Sequence, residues 1–271
     1  MLAFSSLLGN VEGQNIYRIW YDKPASYWEE ALPVGNGRIA AMVFGDPQLE
    51  QIQLNEETVS AGSPYQNYNE EAKTALPEMR RLIFEGKYEE AQNMAATKIL
   101  SQVGNEMPYQ TVGRLNIRYQ DHKKVNNYYR DLDISNAVAV TRYEVDGVEF
   151  TEETFASFTD QLVIRHIKAS KPGTINCELF FNTPMRDPKR SIYGKKGLRL
   201  EGITHGSRYF PGKVHYCADL DVKHKGGKVI TANDTLLSVQ GASELTLYIS
   251  MATNFVLSLI HISEPTRLQL I

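Results

Sequence analysis

The sequence predicts a mainly β protein, a large antiparallel β-sandwich with a short two-helix insertion near residues 69–100. Three observations carry that prediction. From Tyr109 to Met251 the dominant period of the sequence is two, as when alternate side chains of a strand face a core. Asp146-Gly147 stands between two such runs, the strongest short hairpin signal available. The strand candidates follow one another through short connections with no helices alternating between them, which points to antiparallel layers.

Taken in chain order, Leu2 to Leu8 (LAFSSLL) is a short apolar run without a basic flank, followed by the polar stretch Gly9 to Asn15. Residues 1–15 therefore read either as the remnant of a secretory signal or as a disordered N-terminus. Ala31 to Gly45 (ALPVGNGRIAAMVFG) reads as a sharp turn at Gly35-Asn36-Gly37 entering a strand from Arg38 to Phe44. In Asn69 to Leu100, Leu76, Met79, Leu82 and Ile83 share one helical face, and after Gly86 the pattern repeats with Tyr88, Ala91, Met94 and Ala95. These are two amphipathic helices whose apolar stripe is expected to face the core. Tyr143–Val145 and Val148–Phe155 form the predicted hairpin. Further strands are expected at Gln161–Ile167, Thr174–Phe181, Gly197–Ile203, Val214–Val222, Lys228–Thr231, Thr235–Val239 and Glu244–Met251. Breaks such as Lys171-Pro-Gly173 and Lys225-Gly-Gly227 separate several of them.

The 271 residues suffice for one large domain or two small ones. A net charge of -3 offers no electrostatic case for nucleic acid, and no run approaches the roughly 20 apolar residues of a membrane span. Tyr, Phe and Trp make up 10% of the chain, which suits an aromatic-rich sheet protein or one that handles sugars. Cys177 and Cys217 are too few for a disulfide framework. His215-x-Cys217 lacks the further ligands of a zinc site, so both cysteines read as small buried residues, with no metal and no cofactor implied.

Two stretches stand out for chemistry. Gly35-Asn36-Gly37 is not a nucleotide fingerprint, because the third glycine is missing and a strand follows. It is either a plain hairpin turn or a turn that sets Asn36 and Arg38 at the rim of a site. In Leu54 to Gly62 (LNEETVSAG), Asn55, Glu56, Glu57 and Thr58 follow an apolar alternation. Adjacent carboxylates on a strand point to opposite faces, so Glu56 and Glu57 cannot flank one glycosidic bond. Their expected roles are a cap for the next segment or hydrogen bonds to a neighbouring domain. No Ser/His/Asp order, Cys/His pair or HExxH motif appears, and the residues alone show no complete active site.

Several of these motifs together resemble the N-terminal domain of glycoside hydrolase family 95. They are Tyr27-Trp-Glu-Glu-Ala-Leu-Pro-Val-Gly-Asn-Gly-Arg38, Ala41-Met-Val-Phe-Gly45, Ile52-Gln-Leu-Asn-Glu-Glu-Thr58 and Leu76-Pro-Glu-Met-Arg-Arg-Leu-Ile-Phe-Glu-Gly86. Tyr109-Gln-Thr-Val-Gly-Arg-Leu115 is similar to the family's Tyr-Gln-Pro-Leu-Gly-Asp-Leu, and Tyr129-Arg-Asp-Leu-Asp133 and Phe155-Ala-Ser157 continue the match. The resemblance covers Tyr17 to Val256. Val59-Ser60-Ala61 departs from it where many relatives carry Leu-Trp-Ser, which bears on substrate preference.

The family comprises α-L-fucosidases and some α-L-galactosidases. The resemblance implies a β-sandwich joined through a helical linker to an (α/α)6 barrel and a small β domain. In such enzymes terminal α-1,2-linked fucose is removed with inversion by a Glu acid and a water activated by Asn and Asp, all on the barrel. Carried onto this chain, the resemblance supplies no catalytic residue. It makes Asn36, Arg38, Asn55 and Glu56 candidates for contact with substrate or barrel. A fucosylated glycan, reached through the barrel, is the expected partner, in a periplasmic or secreted setting. Residues 16–256 are expected to be this domain, incomplete at its C-terminal end and with an apolar patch where the barrel docks. Residues 257–271, with LSLIHISEPTR, resemble a translated sequencing adapter. The alternatives are a stand-alone carbohydrate-binding sandwich and the same domain of an α-L-galactosidase or a glycoside phosphorylase.

Overall fold

The computed structural model describes residues 17–61, 68–101, 108–206 and 211–255. The expectations for residues 1–15 and 257–271 lie outside the described residues. Strands β1 (Arg18–Tyr21), β6 (Asn126–Asp133), β7 (Val138–Val145), β8 (Val148–Ala156), β9 (Val163–Ala169), β16 (Glu244–Thr253), β13 (His215–Lys225), β12 (Gly197–Ile203) and β11 (Arg186–Tyr193) form one sheet, in that spatial order. The second sheet runs β14 (Lys228–Asn233), β15 (Leu236–Ala242), β10 (Ile175–Asn182), β5 (Gly113–Tyr119), β4 (Leu49–Glu56), β3 (Ile39–Val43) and β2 (Leu32–Gly35). Every neighbouring pair is antiparallel. The predicted mainly β sandwich is therefore the observed architecture.

The core lies between the sheets and follows from the alternation. On β10, Ile175, Cys177, Leu179 and Phe181 are buried, and on β16, Leu245, Leu247, Ile249 and Met251 are buried opposite Ile52, Leu54, Leu115 and Ile117 in the same cluster. Each such Leu or Ile stabilises by about 1.5–3 kcal/mol relative to exposure. The Asp146-Gly147 hairpin forms as expected, both residues at positive φ (50° and 75°), with Val145 opposite Val148. Gly113, in the motif Tyr109–Leu115, cannot carry a side chain. At φ 143° its Cβ would stand 2.5 Å from the Asn182 carbonyl oxygen.

Several strands, β1, β2, β5, β6 and β11 among them, have no counterpart among the predicted ones, and β6 and β11 show two different reasons. β11 contains Pro188 and is half charged residues, and it lies at the sheet edge, where a missing N–H breaks no ladder. β6 (NNYYRDLD) buries Arg130, Asp131 and Asp133, so polar groups occupy positions where an apolar alternation is sought.

The helical insertion is real: α1 (Ala72–Phe84), α2 (Tyr88–Met94) and a π-helical turn (Ala95–Ile99). Its stripe does not face the sandwich core as expected. Ala75, Leu82 and Ala91 are buried, but none of them belongs to the inter-sheet core cluster. Ile83 and Tyr88 of the stripe are exposed, as are Phe84 and Leu100. The apolar face is spent on helix-to-helix contact, and two short helices are too narrow to bury all of it.

Candidate functional site at one end of the sandwich

The site begins at the turn between β2 and β3. The Asn36 carboxamide oxygen accepts the N–H groups of Arg38 (3.1 Å) and Ile39 (2.9 Å), which holds the turn, while Gly37 takes φ 92°. The Asn36 Nδ2 donates across the sandwich to the Ser157 carbonyl (2.8 Å), in the loop between β8 and β9 of the other sheet. Asn36 is itself buried.

Arg38 spans the same gap. Its Nε donates to Gln161 Oε1 (2.8 Å) and its Nη1 to the Met251 carbonyl of β16 (3.0 Å), with Glu56 Oε1 3.4 Å away. The other Glu56 oxygen accepts the Thr58 N–H (2.7 Å) and hydroxyl (2.6 Å), so Glu56 caps the turn after β4. The Thr58 hydroxyl also meets that of Thr253 at the end of β16. Asn36, Arg38 and Glu56 thus form one polar clasp that locks the two sheets together. In the loops it holds, Phe158 and Phe255 are exposed.

Asn55 is not part of the clasp. Successive residues of β4 face opposite ways, so Glu56 points inward and Asn55 outward, where its Nδ2 donates to the Tyr109 hydroxyl. That hydroxyl in turn donates to the Glu56 carbonyl (3.0 Å). Sequence reading named Thr58 beside the two glutamates without giving it a partner, and did not single out Gln161 or Thr253 as members of this group.

Chemically, the clasp positions groups and is not set up for proton transfer. Glu56 has its oxygens engaged by Thr58 and Arg38, and the exposed Glu57 lies on the next residue of the chain. Among the described residues no three His, Cys, Asp or Glu side chains converge as a metal site. Cys177 is buried and Cys217 half-buried, and both are free thiols.

A second polar group lies deep between the sheets. Arg165 on β9 and Glu50 on β4 are fully buried and meet at 2.7 Å, and Arg165 also pairs with the buried Glu152 on β8. Arg165 Nη1 donates to Thr154 (2.8 Å), and the Tyr119 and Tyr143 hydroxyls donate to Glu152 (2.5 and 2.8 Å). Glu50 accepts the N–H groups of Phe44 (3.2 Å) and Gly45 (2.9 Å). Burial pushes its carboxyl up to about 7, Glu152 adding to the rise and Arg165 opposing it. A readable signal existed: Glu50, Glu152 and Arg165 all occupy the inward phase of their strands.

With the geometry established, comparison with known proteins places the chain. Residues 19–258 match the family model for the N-terminal domain of glycosyl hydrolase family 65. The chain belongs to this glycosyl hydrolase N-terminal domain family. The matched stretch coincides with the one that carries the motif resemblance. "Alpha-L-fucosidase 2" of Arabidopsis thaliana is 31% identical over 271 residues, covering 90% of this chain and 31% of that protein. "Probable alpha-fucosidase A" of Aspergillus niger is 26% identical, covering 88% and 30%. The protein of the same name from Aspergillus oryzae is 25% identical, covering 92% and 35%. This glycosyl hydrolase domain therefore spans about a third of the length of the curated relatives it matches. A solved structure named provisionally as a kojibiose phosphorylase from human microbiome aligns at TM-score 0.46 and 9% identity, over 88% of this chain and 32% of its own.

Proposed function

We propose that this chain is the N-terminal β-sandwich of an α-L-fucosidase, an enzyme that removes terminal α-1,2-linked L-fucose from glycans with inversion. The observation that carries the reading is the 31% identity over 90% of the chain to a protein named Alpha-L-fucosidase 2. In this reading bond cleavage belongs to a catalytic domain beyond the sandwich. Inverting hydrolysis needs an acid and a water-activating group about 6.5–9.5 Å apart across the sugar. The clasp presents one carboxylate, Glu56, already committed to Thr58 and Arg38.

The sandwich's contribution is to hold the loop Ser157–Gln161 and the end of β16 in fixed places through Asn36, Arg38 and Glu56, next to the exposed Phe158 and Phe255. Such a rigid, partly apolar end suits docking of the catalytic domain. The whole enzyme acts in the periplasm or outside the cell, where glycan substrates are met.

The test is fucose release from an α-1,2-fucosylated oligosaccharide, by the purified 271-residue chain and by a protein joining it to the downstream domain. Activity confined to the longer protein, with β-L-fucose as the first product, supports the reading. Release by the 271-residue chain itself would overturn it. Strict dependence of cleavage on inorganic phosphate, with a sugar phosphate as product, would reassign the domain to a phosphorylase.

A further inference from the structure

The outer face of the seven-stranded sheet carries a groove of about 510 Å3, within the ~300–1,000 Å3 of small-molecule sites. Strand register builds its floor. Gln53 on β4 stands opposite Arg114 on β5, which stands opposite Asn182 at the end of β10, and one row further Gln51 stands opposite Asn116. All five line the groove, with Pro184 at its margin.

Four of these are primary amides, each both donor and acceptor. Arg114 carries the one charge in the lining, and it is already engaged, with Nη1 on Gln51 Oε1 (2.5 Å) and its guanidinium 5.7 Å from the Phe44 ring centre. Asn116 is buried and anchored, its Nδ2 donating to the carbonyls of Arg114 and Phe180 (3.3 Å each). Gln53 Oε1, by contrast, is shielded from solvent and has no hydrogen-bond partner. An acceptor left in that state is costly, and a turn of the Gln53 side chain, whose residue lines the groove, would bring its carboxamide to a ligand hydroxyl.

The lining narrows the ligand class. A single, engaged cation is poor provision for a phosphate or carboxylate ligand, which calls for several charge-assisted bonds. A peptide strand would need a free sheet edge, whereas β4, β5 and β10 each have neighbours on both sides. Neighbouring hydroxyls on a sugar ring donate and accept at adjacent positions, as carboxamides do, and Pro184 and Leu49 offer apolar surface to the C–H face of the ring. We propose that this groove binds a neutral saccharide. Its recognition rests on side-chain amides rather than on the Tyr and Trp stacking that composition suggests, and it is independent of which reaction the whole enzyme performs.

The test titrates the 15N-labelled 271-residue chain with L-fucose, D-galactose and lactose, following side-chain amide resonances. The expected result is saturable shifts of Gln51, Gln53, Asn116 and Asn182 with at least one sugar, at a Kd on the order of 1 mM or tighter. Gln53→Leu and, separately, Asn182→Ala should weaken that binding about tenfold or more. Gln53→Leu should leave the melting temperature equal or higher, since it deletes an unpartnered oxygen. No shift with any of the three sugars, shifts outside the groove, or unchanged binding in both variants would overturn the proposal. So would competition for the groove by an acidic glycan or a peptide better than by a neutral sugar. Fucose release by the longer protein is read separately, so either result stands without the other.

Discussion

Replacing Arg165 by Met removes the one cation from a fully buried group. Arg165 and Glu50 have no exposed side-chain area and Glu152 only 2%, so water cannot take over when the guanidinium goes. Two carboxylates then share an apolar interior, with only the Tyr119 and Tyr143 hydroxyls and a few backbone N–H groups to hold them. Breaking such a pair costs about 3–5 kcal/mol, a large part of the ~5–15 kcal/mol that holds a domain together. At about 2–4 °C per kcal/mol, the melting temperature should fall by roughly 6–20 °C.

The loss should also depend on pH, and its sign follows from Glu50. Its folded value, about 7, lies above the ordinary 4.5, because burial favours the neutral acid. The native state therefore binds the proton more tightly than the unfolded chain does. The resulting stabilisation is fully present below about pH 4.5 and is lost as pH rises through about 7. Without Arg165 the carboxyl holds its proton to still higher pH, so the variant should lose more at pH 8 than at pH 5. Urea unfolding at both pH values, with unchanged m, measures this. Adding Glu50→Gln and Glu152→Gln to Arg165→Met should restore part of the loss, since the unpaired charges go too. A loss below about 1 kcal/mol, equal at both pH values, would refute the reasoning.

Arg38→Ala cuts the bonds to Gln161 and Met251 that tie the sheets at the clasp, and should cost about 1–3 kcal/mol in the isolated chain by chemical denaturation. On the proposed reading, in which the clasp positions loops against a catalytic domain, fucose turnover by the longer protein should drop further than that stability loss accounts for; equal losses would mark a purely structural role. Gly113→Ala forces a Cβ to within 2.5 Å of the Asn182 carbonyl oxygen, so a loss of about 1–3 kcal/mol is expected, and a neutral result would show that β5 and β10 can separate there. Burial raises the Cys177 thiol well above its ordinary value, while burial and then Asp219 push Cys217 up to about 12. In a thiol-reagent assay on the native protein Cys177 should stay silent and Cys217 react slowly, with both reacting at once in urea; rapid native modification of Cys177 would show that the core opens.

Most of the architecture is legible in the sequence because burying one face of a strand imposes a period of two. Val163-x-Arg165-x-Ile167 and Leu245-x-Leu247-x-Ile249 state which side chains point inward before any partner is known. Local chemistry likewise marks the Asp146-Gly147 hairpin and the paired helices of the insertion. β6 and β11 escape that reading, one because its inward positions hold Arg130 and other polar groups, the other because an edge strand tolerates Pro188 and charge.

The candidate site divides in the same way. Residue types and motifs single out Asn36, Arg38, Asn55 and Glu56, but not which of them meet. Arg38 bonds Met251 across a separation of 213 residues, and Gln161 across 123, because two sheets of different strand order stack with those ends in line. The same stacking brings Glu50, Glu152 and Arg165 together from three strands, while the alternation of β4 itself turns Asn55 to the outer face. Period and turn chemistry are properties of neighbours along the chain, so the sequence by itself determined the strands and their inward faces. Which charges pair, which amides share a groove and which turn locks the sandwich depend on the register of strands distant in sequence, and only the tertiary structure decided them.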